Sequence, residues 1–261
     1  MRTVNISKPL PPSIVSKMGK EVKETSTTSY QEIICDGVKY RCLPDYIEGL
    51  NSCRAHVKKD GENYVMNAIS DLPTKEKSDY YAFSGEFFST NVFRNYAQVD
   101  IRAAYWNMAK RKSYIQNETY NKFINQKSAR NMSLGSWASV KYESNYFNGE
   151  LISSYTHKKA TRPLFFDLAS SCFELMGRSV KYSGVSEYPF FVWVDAIFCK
   201  RELANDLISI INDLGYGCSN DDIDLIVTNG KSMRLYMGDK VKRFSIPYEN
   251  KNNIHKLLSI K

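Results

Sequence analysis

Phe190-Phe191-Val192-Trp193-Val194-Asp195-Ala196-Ile197-Phe198 sets one carboxylate inside a run of apolar residues. A carboxylate within an apolar strand is costly unless it is paired or binds a metal. Read as one strand over Pro189–Cys199, alternation puts Phe191, Trp193, Asp195 and Ile197 on one face. A helical pattern follows from Arg201 to Leu214 and stops at Gly215 and Gly217. Strands are expected at Ile223–Thr228, Ser232–Met237 and Val241–Ile246. A carboxylate-bearing strand, then a helix, then a returning strand is half of a ferredoxin-like unit.

Upstream, Gln98-Val99-Asp100-Ile101-Arg102-Ala103-Ala104-Tyr105 carries a second carboxylate between two β-branched residues. Ala97–Ile101 reads as a strand and Ala103–Lys112 as a helix. Asn117–Ala138 reads as one longer helical region containing Lys127-Ser128-Ala129-Arg130-Asn131. Strands Ser139–Phe147 and Glu150–Tyr155 turn at Asn148-Gly149, and Leu164–Arg178 is an amphipathic helix. Toward the N-terminus, Gln31–Ile69 holds two Asx-Gly dipeptides, Asp36-Gly37 and Asp60-Gly61, each the signal for a strand hairpin. Residues 1–30 are rich in Lys, Ser and Thr, contain Pro9, Pro11 and Pro12, and read as a poorly ordered arm.

The expected class is α+β: an antiparallel, ferredoxin/RRM-like sheet with helices on one face. The expected organisation is an arm (1–30), a small β-rich region (31–90) and a sheet domain (91–247). A short helical hairpin spans about 103–138 of that domain, and a C-terminal helix closes the chain (248–261).

At 261 residues the chain is long enough to bury a real core. A net charge of +8, with 18 tyrosines, fits a polyanionic partner: Lys and Arg displace phosphate counterions while rings stack on bases. No apolar run approaches the ~20 residues of a membrane span. The N-terminus lacks the apolar core of a signal peptide, so no membrane partner is expected. The six cysteines show no CxxC spacing, which favours reduced thiols and a cytoplasmic location. Cys35, Cys42, Cys53 and His56 offer four zinc ligands by type, but at irregular spacing, so buried thiols are the stronger reading.

Taken singly, Asp100 and Asp195 are each explained by backbone N–H partners or solvent. Taken together, two carboxylates on adjacent strands suit a pair of Mg²⁺ or Mn²⁺ ions that activate a 3′-hydroxyl and hold a triphosphate.

At these residues the chain resembles family B DNA polymerases. Their first palm motif, Asp-x-x-x-x-Tyr, stands as Asp100-Ile101-Arg102-Ala103-Ala104-Tyr105. Their fingers motif, Lys-x-x-x-Asn-Ser-x-Tyr-Gly, stands as Lys127-Ser128-Ala129-Arg130-Asn131-Met132-Ser133-Leu134-Gly135. Their third motif, Asp-Thr-Asp-Ser, stands as Trp193-Val194-Asp195-Ala196. Two fainter matches flank these. Tyr81-Ala82-Phe83-Ser84-Gly85 is placed like a template-touching Tyr-x-Gly-Gly loop, and Arg234-Leu235-Tyr236 like a primer-holding Lys-x-Tyr element.

The resemblance implies a palm with reduced fingers and no exonuclease domain. Asp100 and Asp195 would be metal ligands, and Lys127, Arg130 and Asn131 would bind the triphosphate. Tyr105 would pack under the sugar and exclude a 2′-hydroxyl. Tyr81, Gly85, Arg234 and Tyr236 would touch nucleic acid. The implied partners are a DNA primer-template, dNTPs, and a replication accessory or second polymerase subunit; the implied source is a virus or mobile element. Between Tyr105 and Arg162 there are ten Lys/Arg against Glu118, Glu143 and Glu150, a concentration of positive charge suited to a DNA backbone.

The departures define the alternative. Trp193 replaces the first Asp of the third motif, Leu134 replaces a Tyr, and the chain after Asp195 leaves little room for a thumb. These suit a catalytically silent palm-derived module that binds nucleic acid or a replication partner. A third reading is an unrelated α+β binding protein.

Overall fold

The computed structural model describes every residue except 28–29, 43–48, 69–70, 248, 250–251 and 261. Along the first half of the chain the elements are β1 (Arg2–Asn5), α1 (Pro12–Val15), β2 (Glu21–Ser26), β3 (Gln31–Cys35), β4 (Val38–Cys42), α2 (Leu50–Asn67), β5 (Tyr81–Phe83), β6 (Thr90–Ile101), α3 (Ala104–Arg111) and α4 (Asn117–Phe123). The second half adds α5 (Lys127–Ala138), β7 (Val140–Phe147), β8 (Glu150–Lys158), α6 (Arg162–Tyr182), β9 (Phe191–Trp193), β10 (Ala196–Lys200), α7 (Ala204–Asp213), β11 (Cys218–Asn229), β12 (Ser232–Met237), β13 (Lys240–Ser245) and α8 (Asn253–Leu258). The class is mixed α+β, and the chain divides into two units. One comprises Met1–Leu72 with Gln116–Phe165, the other Pro73–Ile115 with Phe166–Lys261.

The first unit is built on a six-stranded sheet of order β1-β4-β3-β2-β7-β8. Asp36 and Gly37 take positive φ (47° and 75°) and turn β3 into β4. Asn148 and Gly149 do the same between β7 and β8. Both hairpins follow from the Asx-Gly signal, because these residues tolerate the left-handed region at low cost. Val15, Val22, Ile33 and Cys35 form the buried core on one face. On the other face charges pair across strands: Glu32 bonds both Lys39 and Arg41, which holds its carboxyl below the usual glutamate range.

Three expectations fail in this unit. The residues read as a disordered arm hold β1, α1 and β2. β2 is an interior strand between β3 and β7, so pairing partners far along the chain order it. Asp60-Gly61 is no hairpin turn but lies inside α2. A Cβ on Gly61 would sit 2.9 Å from the Trp137 ring, so the glycine there permits close approach of α5. Asp60 accepts a bond from the Gln116 amide at 2.9 Å, just before α4. Finally, Asn117–Ala138 is two helices rather than one, broken between Phe123 and Lys127.

The zinc set does not assemble. Cys35 and Cys42 lie at opposite ends of the β3–β4 hairpin, and Cys53 is buried in α2. No group of three or more metal-ligating side chains occurs among the described residues.

The second unit is built on a seven-stranded antiparallel sheet of order β13-β12-β11-β6-β10-β9-β5. Phe83, Phe87, Phe93, Tyr96, Phe191, Phe198, Ile223 and Leu235 are buried together on one face. Phe244 of β13 packs on Trp193 of β9, with ring centroids 4.8 Å apart, so the sheet curls around this aromatic core. On the other face α7 packs against β6 and β11. The expected helix Leu164–Arg178 and strands Ile223–Thr228 and Val241–Ile246 are present with shifted ends, and Ser232–Met237 is present with the ends expected. The helical hairpin expected over 103–138 is split: α3 belongs to this unit, α4 and α5 to the other.

Candidate active site

The apolar run around Asp195 is two strands and not one. β9 and β10 pair Trp193 with Ala196 and Phe191 with Phe198, leaving Val194-Asp195 as a two-residue turn. The turn resets the alternation: Phe198, not Ile197, shares a face with Phe191, their rings stacked at 4.1 Å. Asp195 is therefore half-buried at a hairpin tip, where a carboxylate reaches solvent without opening the core. Val194 takes a φ of 59°, rare for a β-branched residue. Its amide donates to the Tyr80 carbonyl at 2.7 Å, and its carbonyl accepts from the Cys172 thiol of α6 at 3.7 Å.

Asp100 occupies the last turn-ward positions of β6. It lies opposite Ala196 on one side and Ser219 on the other. The Ile101 amide donates to the Asp195 carbonyl at 3.0 Å, so the two acidic residues occupy adjoining ladder positions. Both negative charges act on Cys172. Its thiol is pushed well above the ordinary cysteine range, first by complete burial, then by Asp195 and Asp100.

β6 ends in a left-handed Ala103 (φ 50°), which sets Tyr105 in the first turn of α3. The Tyr105 phenol is held well above the usual tyrosine range by burial, with Cys172, Tyr80, Asp195 and Tyr81 adding to it. Tyr81 lies opposite Trp193 across β5 and β9, with ring centroids 4.4 Å apart. Asp100, Asp195, Tyr105 and Tyr81 are thus gathered at one end of this sheet. Gly85 opens a one-turn 3-10 segment after β5, exposed and with open space where a Cβ would stand.

Arg234 and Tyr236 are not part of this cluster. Through β11 they align with Val92 and Arg94 of β6, eight and six residues before Asp100. At ~3.3 Å per residue that is roughly 20–26 Å along the strand. Arg234 is exposed and pairs in register with Arg243 of β13.

In the first unit, Lys127 and Asn131 are both exposed, one helical turn apart on α5. Arg130 differs from the expectation of a second solvent-facing cation. Its side chain is buried toward α2 with Cys53 nearby, and burial lowers its guanidinium below the usual arginine range. Leu134 is buried on that same helix face.

Sequence reading did not single out Lys242. Its ammonium donates to the Gln98 side chain at 3.0 Å, and Gln98 precedes Asp100 by two on the same strand face. Nothing local to β13 signals this, because curling of the sheet brings the strand there.

No protein-family model, no curated protein and no solved structure matches this chain. No helix among the described residues is long and apolar enough to cross a membrane.

Proposed function

We propose that the chain is a reduced, palm-type nucleotidyltransferase that adds dNTPs to a DNA 3′ end. The observation that carries this reading is the adjoining position of Asp100 and Asp195 at the ends of β6 and of the β9–β10 turn. The strand order supports it. β6, α6, the β9–β10 hairpin, α7 and β11 follow in sequence, and the strands lie as β11-β6-β10-β9. That order supports reading the sheet as ferredoxin/RRM-like, the arrangement that the resemblance to family B polymerases implies for a palm.

The donor set fits Mg²⁺ or Mn²⁺. Such ions take one or two carboxylates and complete their shell with substrate phosphates and water, so Asp100 and Asp195 suffice without Trp193. When bound, divalent ions activate the 3′-hydroxyl and neutralise the triphosphate. The chain's own residues do the rest. Tyr105 stays a neutral phenol at any physiological pH and packs beneath the sugar, where a 2′-hydroxyl has no room. In the first unit, taken by itself, Lys127 and Asn131 lie exposed one helical turn apart on α5, a cation and an amide suited to phosphate. Tyr81 offers a ring at the template side.

The second reading, a silent nucleic-acid-binding module, rests on Trp193. Its indole packs between Tyr81 and Phe244, as a structural residue does. Primer extension with Mg²⁺ or Mn²⁺ separates the two. Under the enzyme reading, Asp100→Asn and Asp195→Asn each reduce incorporation by at least ~100-fold with circular dichroism unchanged. DNA binding with no incorporation by the wild type selects the module. Extension that survives both substitutions overturns the site.

A further inference from the structure

Arg234 of β12 stands directly opposite Arg243 of β13, and both side chains are exposed. Such a pair holds its Cβ atoms ~4.5–5.5 Å apart, where like charges repel. Among the described residues neither guanidinium has a carboxylate partner; Asp222 and Asp224 of neighbouring β11 are engaged by Arg201 instead. A third exposed arginine, Arg94 of β6, lies in line with Tyr236, two strands away and one same-face step along, ~12 Å from Arg234. Val92 and Val241 border the three guanidiniums and are 53% and 48% exposed.

This face is not the one that carries Asp100. Arg234 and Tyr236 alternate with Met233 and Leu235, which are buried in the aromatic core, whereas Asp100 pairs with Ala196 of that same core. Along a strand, successive side chains point to opposite faces, and residues paired across strands share a face. The arginines are therefore on the back of the sheet from the candidate site.

We infer that this back face is a docking surface for an acidic, apolar segment of a partner protein. Charge gives the sign of the partner: one carboxylate set between Arg234 and Arg243 accepts from both and relieves their repulsion, and a second reaches Arg94. Composition gives its class. The face combines Arg, Tyr and Val, with no Lys, Asp or Glu among these positions, which is the bias of a protein–protein interface. A phosphodiester backbone would satisfy the arginines but would give Val92 and Val241 nothing to pack against. The inference stands apart from the enzymatic reading, which uses the other face.

Fluorescence anisotropy with the full chain in about 0.15 M salt, which screens unspecific attraction between exposed charges, tests it. The probe is a labelled peptide of four Glu-Glu-Leu repeats. The same peptide with Ser in place of Leu, and a labelled oligothymidylate, are the comparisons. The Leu peptide is expected to bind at least ~5-fold more tightly than the Ser peptide, and Arg234→Ala and Arg243→Ala each to weaken it by ~5–10-fold. Val92→Ser is expected to weaken the Leu peptide and to leave the Ser peptide unchanged. The inference is overturned by a wild type that binds no Leu peptide up to about 500 µM, by equal binding of the two peptides, or by arginine variants that bind as wild type does. Oligothymidylate that displaces the Leu peptide and is itself lost in both arginine variants assigns the face to nucleic acid, and overturns it as well.

Discussion

Val194 and Asp195 concentrate what is unusual at the residue scale. A valine in the left-handed region carries a strain of roughly 1–2 kcal/mol, and here two long-range bonds, to Tyr80 and from Cys172, hold it. Strain of this kind persists where surrounding structure over-determines a functional geometry. Val194→Gly is accordingly expected to unfold at a urea midpoint no lower than wild type, gaining at most about 1 kcal/mol after the entropic cost of glycine. Val192→Gly, two residues earlier and fully buried in regular strand, is expected to lose about 3 kcal/mol. If the two variants lose stability equally, the turn is not strained. Asp195 itself shows why a single residue was legible and its setting was not. The anomaly of a carboxylate among apolar residues is visible in sequence, whereas the turn that resolves it has no Gly, Asn or Pro to announce it.

At the scale of elements, two Asx-Gly dipeptides of the same kind have opposite fates. Asp36-Gly37 makes the turn its chemistry favours. Asp60-Gly61 is overruled by packing, because helix α2 needs a residue without a side chain where Trp137 crosses it and donates to the Val57 carbonyl at 3.2 Å. The sign of one substitution tests this. In an exposed helix Gly→Ala stabilises by up to ~1 kcal/mol. Gly61→Ala is expected instead to destabilise by about 1–3 kcal/mol and to shift the Trp137 emission, since a rigid ring 2.9 Å away must move. A stabilised Gly61→Ala would show that α5 yields freely. Strand and helix types from Pro189 onward, and both hairpins at Asp36-Gly37 and Asn148-Gly149, were readable from period and turn residues. β1 and β2 were not, because polar strands at this length are defined by the partners they pair with.

For the whole molecule, the thiols report folding. Five of six cysteines are buried and none is disulfide-bonded. Burial pushes the Cys199 thiol up to about 12 and holds the Cys172 thiol well above the ordinary cysteine range, so neither forms the reactive thiolate at neutral pH. Only Cys218 is half-exposed. An aromatic disulfide reagent is therefore expected to titrate one thiol promptly in the native chain and all six in guanidinium. Prompt reaction of several thiols would contradict the packing of both cores.

Sequence by itself determined the α+β class, the basic, Tyr-rich composition, most element types, and the identity of the two acidic residues worth testing. Those properties depend on local period, turn chemistry and charge, which a chain carries wherever it folds. Tertiary structure alone decided that residues 1–26 join a sheet, that Asp60-Gly61 is helical, that Arg130 faces inward, and that Asp100 adjoins Asp195. Each of those outcomes turns on a partner tens of residues away, and no local pattern encodes the free energy of a contact whose other half lies that far along the chain.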